Sequence, residues 1–314
     1  MAETKNPSGS SLLVPSVQEL AKQNLANVPQ RYIQPQHEQQ MLHISQQPNI
    51  ATLHIPVIDM QRLLSQESAT SELDKLHFAC KEWGFFQLIN HGVSTSLVEK
   101  VKLEIKNFFD LPMSEKKRFW QSPEHMEGFG QAFVVSEDQK LDWADIFFMT
   151  VLPKQLRMPH LFPQLPLSLR VNYYPACLEA DKVIGLTPHS DGVGLTILLQ
   201  VSDVEGLQVR KDGMWILVKP LPNSFIINIG DMLEIISNGI YRSVEHRAIV
   251  NSARERISIA TFHTPKHDGV LAPAPSLITE KTPPRFQKTQ LKEFLANLFA
   301  RKLDGKSYLD TLRL

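Results

Sequence analysis

From residue 185 to residue 200 the chain reads GLTPHSDGVGLTILLQ, which places a candidate metal-binding pair, His189 and Asp191, directly before an apolar run. That run, 194–200, has the β-branched composition of a strand. Side chains two positions apart on a strand point to the same face, so both residues could reach one metal ion. A His-x-Asp pair alone is weak, because a surface turn with a solvated aspartate gives the same pattern.

The remainder of the C-terminal half is also predicted to form strands. Short stretches rich in β-branched and aromatic residues alternate there with Gly, Asp, Asn and Pro. These stretches are 169–174, 194–200, 207–210, 215–219, 225–229, 242–250 and 257–263. Short strands at such spacing are typical of a sandwich or jelly roll.

The N-terminal half alternates between strand and helix patterns. Strands are predicted at 55–60 and 85–89, and helices from the candidate capping box Ser71-x-x-Asp74 and over 96–111. An amphipathic helix is predicted at 287–301. We therefore predict a mainly β fold with helices, in four parts: an extended arm with one short helix near 17–23 (1–53), a mixed α/β region (54–153), a jelly-roll domain (165–265), and a C-terminal helix and tail (266–314).

Composition argues against several classes of function. Among 314 residues, Lys+Arg and Asp+Glu are both 33, so the net charge is zero and nothing favours nucleic acid or an acidic membrane surface. Two cysteines, a polar start and the lack of a run of about 18 apolar residues predict a cytoplasmic protein without a transmembrane helix. We expect a monomer whose partner is a small-molecule substrate.

His246, on the predicted strand 242–250, is a candidate third ligand. Two histidines and one carboxylate form the facial triad of non-haem Fe(II) oxygenases. Three protein ligands on one face of an octahedron leave two positions for a chelating 2-oxo acid and one for dioxygen. Two alternatives stay open here, a structural histidine and a zinc hydrolase that uses the same three ligands.

Arg256-Ile257-Ser258 follows His246 after ten residues, which is enough for a turn and another strand. Arg256 and Ser258 would share one face of that strand. A guanidinium matches a carboxylate through two parallel hydrogen bonds, so this pair suits the far end of a dicarboxylate that chelates iron. The alternative is an exposed strand arginine beside Glu255.

At these residues the chain resembles the plant Fe(II)- and 2-oxoglutarate-dependent dioxygenases, in particular their senescence-related and alkaloid O-demethylase-like members. The resemblance covers nearly all of the chain past residue 10 and is carried by several stretches. Among them are IPVIDM (55–60), ACKEWGFFQLINHG (79–92), NYYP (172–175), GLTPHSDGVGLTILLQ (185–200), YRSVEHRAIVN (241–251) and RISIATFH (256–263). It implies a double-stranded β-helix, or jelly roll, with a helical N-terminal region packed on it.

The resemblance also implies an activity and a set of site residues. A small metabolite of the flavonoid, coumarin or alkaloid type would be hydroxylated or O-demethylated, while 2-oxoglutarate is converted to succinate and CO2. Fe(II) would be the cofactor, 2-oxoglutarate and O2 the co-substrates, and ascorbate a supporting reductant. The iron ligands would be His189, Asp191 and His246. The co-substrate would be held by Arg256, Ser258, Asn172 and Tyr174.

Four residues next to the motifs are candidates for contact with the substrate: Phe129, Phe133, Phe262 and Thr264. Aromatic rings at the mouth of a barrel would suit a flat, apolar substrate. For Phe129 and Phe133 the alternative is packing between the N-terminal region and the barrel.

The chain departs from these relatives between LFPQLPL (161–167) and Asn172. The relatives carry a two-helix segment there, whereas this chain passes almost at once into Arg170-Val171-Asn172. An internal deletion near residues 167–170 is therefore predicted. The alternative function that follows is an oxygenase-like protein whose catalysis is impaired, because apolar sheet surface would be left uncovered.

Overall fold

The computed structural model describes residues 11–23, 27–36, 54–122, 125–150, 155, 157–158, 161, 170–266 and 268–314. The helices within these residues are α1 Val17–Ala21, α2 Met60–Leu63, α3 Ala69–Phe78, α4 Thr95–Asp110, α5 Met113–Lys116, α6 Asp231–Ile236, α7 Leu291–Phe299 and α8 Ser307–Asp310. A π-helical turn at Ala79–Trp83 continues α3, and 3-10 turns occupy Lys117–Phe119 and Pro275–Leu277. None of the described helices is long and apolar enough to cross a bilayer.

The strands form two principal sheets and a short pair. Their bounds are β1 Val57–Asp59, β2 Phe85–Ile89, β3 Gly128–Gly130, β4 Asp145–Phe148, β5 Arg170–Tyr174, β6 Leu186–His189, β7 Leu195–Gln200, β8 Leu207–Lys211, β9 Met214–Leu217, β10 Phe225–Ile229, β11 His246–Ala248, β12 Arg256–His263, β13 Val270–Leu271 and β14 Thr289–Gln290. The larger sheet has the order β1-β2-β10-β7-β12-β5-β4-β3, and the smaller has the order β6-β11-β8-β9. Strands β13 and β14 pair with each other.

The two principal sheets pack face to face, as expected for a jelly roll. Phe85 and Ile226 of the larger sheet share one buried cluster with Leu207, Val209 and Ile216 of the smaller sheet. Elsewhere between the sheets a cavity is lined by strands of both. The predicted mainly β jelly roll with added helices is therefore confirmed.

Helix α4 covers the outer face of β5 and β12. Phe109 is buried and stacks on Tyr173 of β5, with ring centroids 4.7 Å apart and planes inclined by 13°. Ile257 and Ile259, alternate residues of β12, belong to the same apolar cluster. Since alternate residues of a strand point to opposite faces, Ser258 between them faces the inter-sheet cavity.

The short helix predicted near 17–23 is present as α1, and its N-terminus is bound by a buried carboxylate. Asp145 of β4 accepts hydrogen bonds from the Ser16 hydroxyl at 2.7 Å and from the Val17 and Gln18 amides at 2.8 and 2.9 Å. A carboxylate is favourable there because the first amides of a helix lack intrahelical acceptors. The described part of the arm is thus held against the barrel.

Several predicted elements need correction. Helix α3 begins at Ala69 after Ser68, so Ser71 lies inside the helix and does not start a capping box. The strand predicted at 242–250 is reduced to His246–Ala248. Strands β3, β4, β6, β13 and β14 were not predicted, since they are short and two of them contain Gly or Pro. The predicted deletion falls on residues of which 167–169 lie outside the described part of the chain.

Candidate metal centre

Three side chains that can bind a metal converge at the edge of the smaller sheet. His189 ends β6, His246 begins β11, and the two residues are paired across the strands. Asp191 lies two residues beyond the end of β6, in the turn before β7. One ligand atom from each of the three residues lies within 4.8 Å of the others, and all three side chains are buried.

The turn position of Asp191 corrects one step of the sequence argument. His189 and Asp191 do not share a strand face, because β6 ends at His189. The turn instead brings Asp191 Oδ1 to 3.4 Å from His189 Nε2 and 3.6 Å from His246 Nε2. The two imidazole rings are 4.3 Å apart between centroids.

Backbone carbonyls fix which nitrogen of each imidazole faces the centre. His189 Nδ1 lies 2.8 Å from the Thr187 carbonyl oxygen, and His246 Nδ1 lies 3.2 Å from that of Val244. A carbonyl can only accept, so each Nδ1 is assigned the proton and each Nε2 keeps a lone pair toward Asp191. Burial and the neighbouring His189 lower the pKa of His246 to about 4, which keeps it in the neutral form that binds metals.

The carboxylate of Asp191 is oriented by two donors on the larger sheet. Its Oδ2 accepts hydrogen bonds from Thr196 Oγ1 at 2.6 Å and from Asn228 Nδ2 at 2.8 Å. Burial alone would raise the pKa of Asp191, but the adjacent imidazoles and the Thr196 hydroxyl outweigh it and hold this pKa below its ordinary range. An ionised carboxylate oxygen and two imidazole lone pairs therefore meet at one point, which fits a divalent transition-metal ion.

The four residues predicted to hold the co-substrate lie on adjacent strands of the larger sheet. Arg256 pairs with Tyr174 and Ser258 pairs with Asn172. All four side chains are buried and line the cavity that also contains the metal centre. The structure therefore brings them onto one wall.

Arg256 is a buried cation with donors available for a ligand. Its Nη2 donates to Gln200 Oε1 at 3.0 Å, and its Nη1 lies 3.4 Å from Ser258 Oγ. The Nε atom is buried and has no hydrogen-bond partner among the described residues. The guanidinium carbon also stands 5.2 Å from the ring centroid of Tyr174. No carboxylate of the described residues forms an ion pair with Arg256, and a buried guanidinium without such a partner is costly, which favours a site for an anionic ligand.

The four predicted substrate residues lie in different places. Phe262 lines the metal cavity. Phe133 lines a second, outer cavity, which also borders Thr187, two residues before the candidate ligand His189. Phe129 is fully buried in the α4 cluster and lines neither cavity, so the packing alternative explains it. Thr264 is exposed and also lies outside both linings.

Sequence reasoning missed the side chains that orient the proposed ligands. Thr196, Asn228 and Gln200 each contact one of the predicted site residues, and Arg170 lines the same cavity. Thr196 and Asn228 could have been noticed in the sequence because each is a polar residue between apolar neighbours on a predicted strand. Such a signal identifies a buried polar residue but does not name the group it contacts.

Comparisons with known proteins agree with this geometry. Residues 55–165 match the family described as the non-haem dioxygenase in morphine synthesis N-terminal region, and residues 166–265 match the 2OG-Fe(II) oxygenase superfamily. An oxoglutarate-dependent flavonoid 7-O-demethylase from Ocimum basilicum is 48% identical, covering 100% of this chain and 94% of that protein. Codeine O-demethylase from Papaver somniferum is 47% identical, covering 98% of both. A crystal structure of JOX2 in complex with 2OG, Fe and JA superposes with a TM-score of 0.82 at 34% identity, covering 96% of this chain and 98% of that one.

The sequence comparison also reveals missing length. The alignment with the flavonoid demethylase spans 361 positions, whereas this chain has 314 residues, so at least 47 positions (361 − 314) have no residue here. This finding supports an internal deletion. Its placement near residues 167–170 stays a prediction.

Proposed function

Because the chain belongs to the family of 2-oxoglutarate- and Fe(II)-dependent dioxygenases, we propose that it hydroxylates or O-demethylates a small plant metabolite of the flavonoid, coumarin or alkaloid type. Fe(II) is the cofactor of this family, and 2-oxoglutarate and dioxygen are its co-substrates. One observation carries the proposal. Two imidazoles and a carboxylate converge in a cavity whose wall also presents the buried guanidinium of Arg256.

We assign the metal to His189, Asp191 and His246. When bound there, Fe(II) would couple the oxidative decarboxylation of 2-oxoglutarate to the oxidation of a C–H bond in the substrate. The protein ligands hold their donor atoms on one side of the centre, so the opposite side is left for co-substrate and dioxygen. If the oxidised carbon is a methoxy carbon, collapse of the hemiacetal releases formaldehyde and leaves a hydroxyl group on the product.

We assign the far carboxylate of 2-oxoglutarate to Arg256 and Ser258, with Asn172 and Tyr174 beside it. Arg256 orients the co-substrate by charge and by hydrogen-bond direction, since its donors stand in a rigid plane. The surrounding residues bury the site, which strengthens these interactions and limits the access of water. A zinc hydrolase with the same ligands would leave the buried Arg256 unexplained.

The proposal is tested by the formation of succinate from 2-oxoglutarate, with Fe(II) and ascorbate and without a primary substrate. We expect the wild-type protein to form succinate and the His246→Ala variant to fall to background, because one of three ligands is lost. His54→Ala, which removes an exposed histidine, is the matched control and should match the wild type. Incubation with a panel of flavonoids, coumarins and alkaloids, followed by mass spectrometry, would identify the substrate.

A second candidate is an oxygenase-like protein that the missing segment has impaired. The alignment positions without a residue in this chain favour it. It predicts succinate formation no higher in the wild type than in His246→Ala, so the same assay separates the two candidates. The expected cytoplasmic location and monomeric state stay predictions.

A further inference from the structure

Two consecutive residues of the C-terminal tail, Gly305 and Lys306, contact the backbone beside both candidate metal-binding histidines. Gly305 forms a β-bridge with His189, on the side of β6 opposite β11. Its amide donates to the Pro188 carbonyl at 2.9 Å, and its carbonyl accepts from the Ser190 amide at 3.1 Å. The backbone of His189 is therefore held between β11 and the tail.

Lys306 makes the second contact, with the segment that leads to His246. Its Nζ donates to the Ser243 carbonyl at 2.6 Å and to Glu234 Oε2 at 2.8 Å. The same oxygen of Glu234 accepts from the Ser243 amide at 2.7 Å. Lys306 and Glu234 thus bind both backbone polar groups of Ser243, a buried residue three positions before His246.

The held backbone adjoins the carbonyls that orient the two imidazoles. The Thr187 carbonyl, which lies 2.8 Å from His189 Nδ1, belongs to the residue directly before the one that accepts from the tail. The Val244 carbonyl, which lies 3.2 Å from His246 Nδ1, belongs to the residue directly after the one bound by Lys306. A shift of either segment would turn an imidazole and move its Nε2 away from the other donor atoms.

Glu234 pairs with two cations of the tail, and only one of these contacts adjoins a histidine. The Glu234 side chain is 4% exposed, so its charge requires a partner. Arg313 Nη2 binds its Oε1 at 2.8 Å, whereas Lys306 binds its Oε2. The further contacts of Arg313 are with Asp310 and the ring of Phe286, both remote in sequence from the metal ligands. The two cations therefore allow the pairing of Glu234 to be separated from an effect on the metal centre.

We propose that Lys306 is a positioning residue of the metal centre, which holds His246 through Glu234 and the backbone of Ser243 while the adjacent Gly305 holds His189. The inference rests on the proposed function, because it concerns the same metal site, and it gives the tail a part in metal binding. By thermodynamic linkage, metal binding should in turn stabilise the tail.

The test is an anaerobic titration of the full chain with Co(II), whose absorption bands report both its affinity and the arrangement of its ligands. Lys306→Met removes the ammonium group and keeps an unbranched side chain. We expect it to bind Co(II) about tenfold more weakly than the wild type, as is typical when a group that orients a metal ligand is lost, and to show an altered Co(II) spectrum at saturation. Lys306→Arg, which keeps a charged donor, should bind Co(II) within about threefold of the wild type.

Arg313→Met is the matched control. It removes the other cation bound to Glu234 but no contact beside a histidine. Because Leu309 of α8 is fully buried, the tail should stay docked in both variants. We expect Arg313→Met to lower the midpoint of urea unfolding, as Lys306→Met also does, but to keep the wild-type Co(II) spectrum and an affinity within about twofold of the wild type.

A measurement on the wild type requires no variant to fold. Co(II) should slow amide hydrogen exchange at least about threefold in the peptide that contains Gly305 and Lys306, as followed by mass spectrometry. Exchange at the same rate with and without Co(II) would contradict the linkage between tail and metal.

Three titration results would also overturn the inference. They are wild-type Co(II) affinity and spectrum in Lys306→Met, equal weakening of Co(II) binding in Lys306→Met and Arg313→Met, and undetectable Co(II) binding by the wild type. Succinate formation by the same wild-type preparation reports separately on the proposed function. The expected order of Co(II) affinities without succinate formation would keep the positioning role and remove the oxygenase activity, whereas succinate formation with unchanged Co(II) binding in Lys306→Met would remove only the positioning role.

Discussion

Replacement of Thr196 by valine is expected to weaken metal binding about 10- to 100-fold, the range typical of groups that orient a metal ligand. Thr196 is only 2% exposed, and its hydroxyl donates to Asp191 Oδ2 at 2.6 Å. Valine replaces this hydroxyl with a methyl group of similar size, so the packing at the position should be preserved. The carboxylate of Asp191 would lose one of its two uncharged hydrogen-bond donors, and this donor helps to orient it.

The magnitude follows from the number of hydrogen bonds to Asp191. With Thr196 and Asn228 both present, Oδ2 has two donors, and the substitution removes one of them. A hydrogen bond to a charged group contributes about 1.5–3 kcal/mol, and about 1.4 kcal/mol corresponds to a tenfold change in affinity. The apoprotein loses the same bond, so part of the cost should also appear as a lower free energy of unfolding without metal.

The assay is an anaerobic titration of the apoprotein with Mn(II) or Co(II), with and without 2-oxoglutarate. Thr196→Ser, which retains the hydroxyl, is the control and should bind within about threefold of the wild type. Asn228→Leu and the double variant complete a double-mutant cycle, in which the two substitutions should be non-additive because both donors share one acceptor atom. A Thr196→Val protein with wild-type metal affinity and wild-type unfolding midpoint would refute the role assigned to this hydrogen bond.

Three further outcomes are expected. Arg256→Lys should raise the 2-oxoglutarate concentration at half-maximal succinate formation by about 10- to 100-fold while metal affinity is retained, because lysine cannot form the paired hydrogen bonds. Gly305→Ala should lower the free energy of unfolding, measured in urea, by about 1–3 kcal/mol. The reason is that Gly305 has a φ of +51° and that an added Cβ would lie 2.5 Å from Glu245 Oε1. An unchanged free energy of unfolding would contradict this prediction. Asp145→Ala should release α1 from the barrel and speed trypsin cleavage after Lys22, as measured by mass spectrometry of the early fragments. Cleavage at the wild-type rate would show that the Asp145 carboxylate does not hold α1 in place.

Strand pairing explains why the substrate candidates lie in different places. Phe129 and Phe262 are both aromatic residues in β-strands, yet Phe262 lines the metal cavity and Phe129 packs under α4. Because successive side chains of a strand point to opposite faces, the sequence shows which residues share a face. It does not show which face meets the other sheet and which meets a helix, because that depends on the position of the strand in the sheet order.

The sequence by itself determined the chemistry that this chain can present. The order His189-x-Asp191, His246, Arg256-x-Ser258, together with the resemblance it carries, was sufficient to predict the residues that the fold brings together, and the alternation of short strands was sufficient to predict the jelly roll. These features are encoded locally, in residue type, in spacing of two along a strand and in the turns between strands.

Only the tertiary structure decided how those groups are oriented and what faces them. The donors to Asp191 come from Thr196 and Asn228 on strands of the opposite sheet, and the side-chain oxygen that accepts from Arg256 comes from Gln200 on the neighbouring strand. Contacts of this kind join residues far apart in the chain. They arise from sheet order, register and burial, which single-residue patterns do not encode.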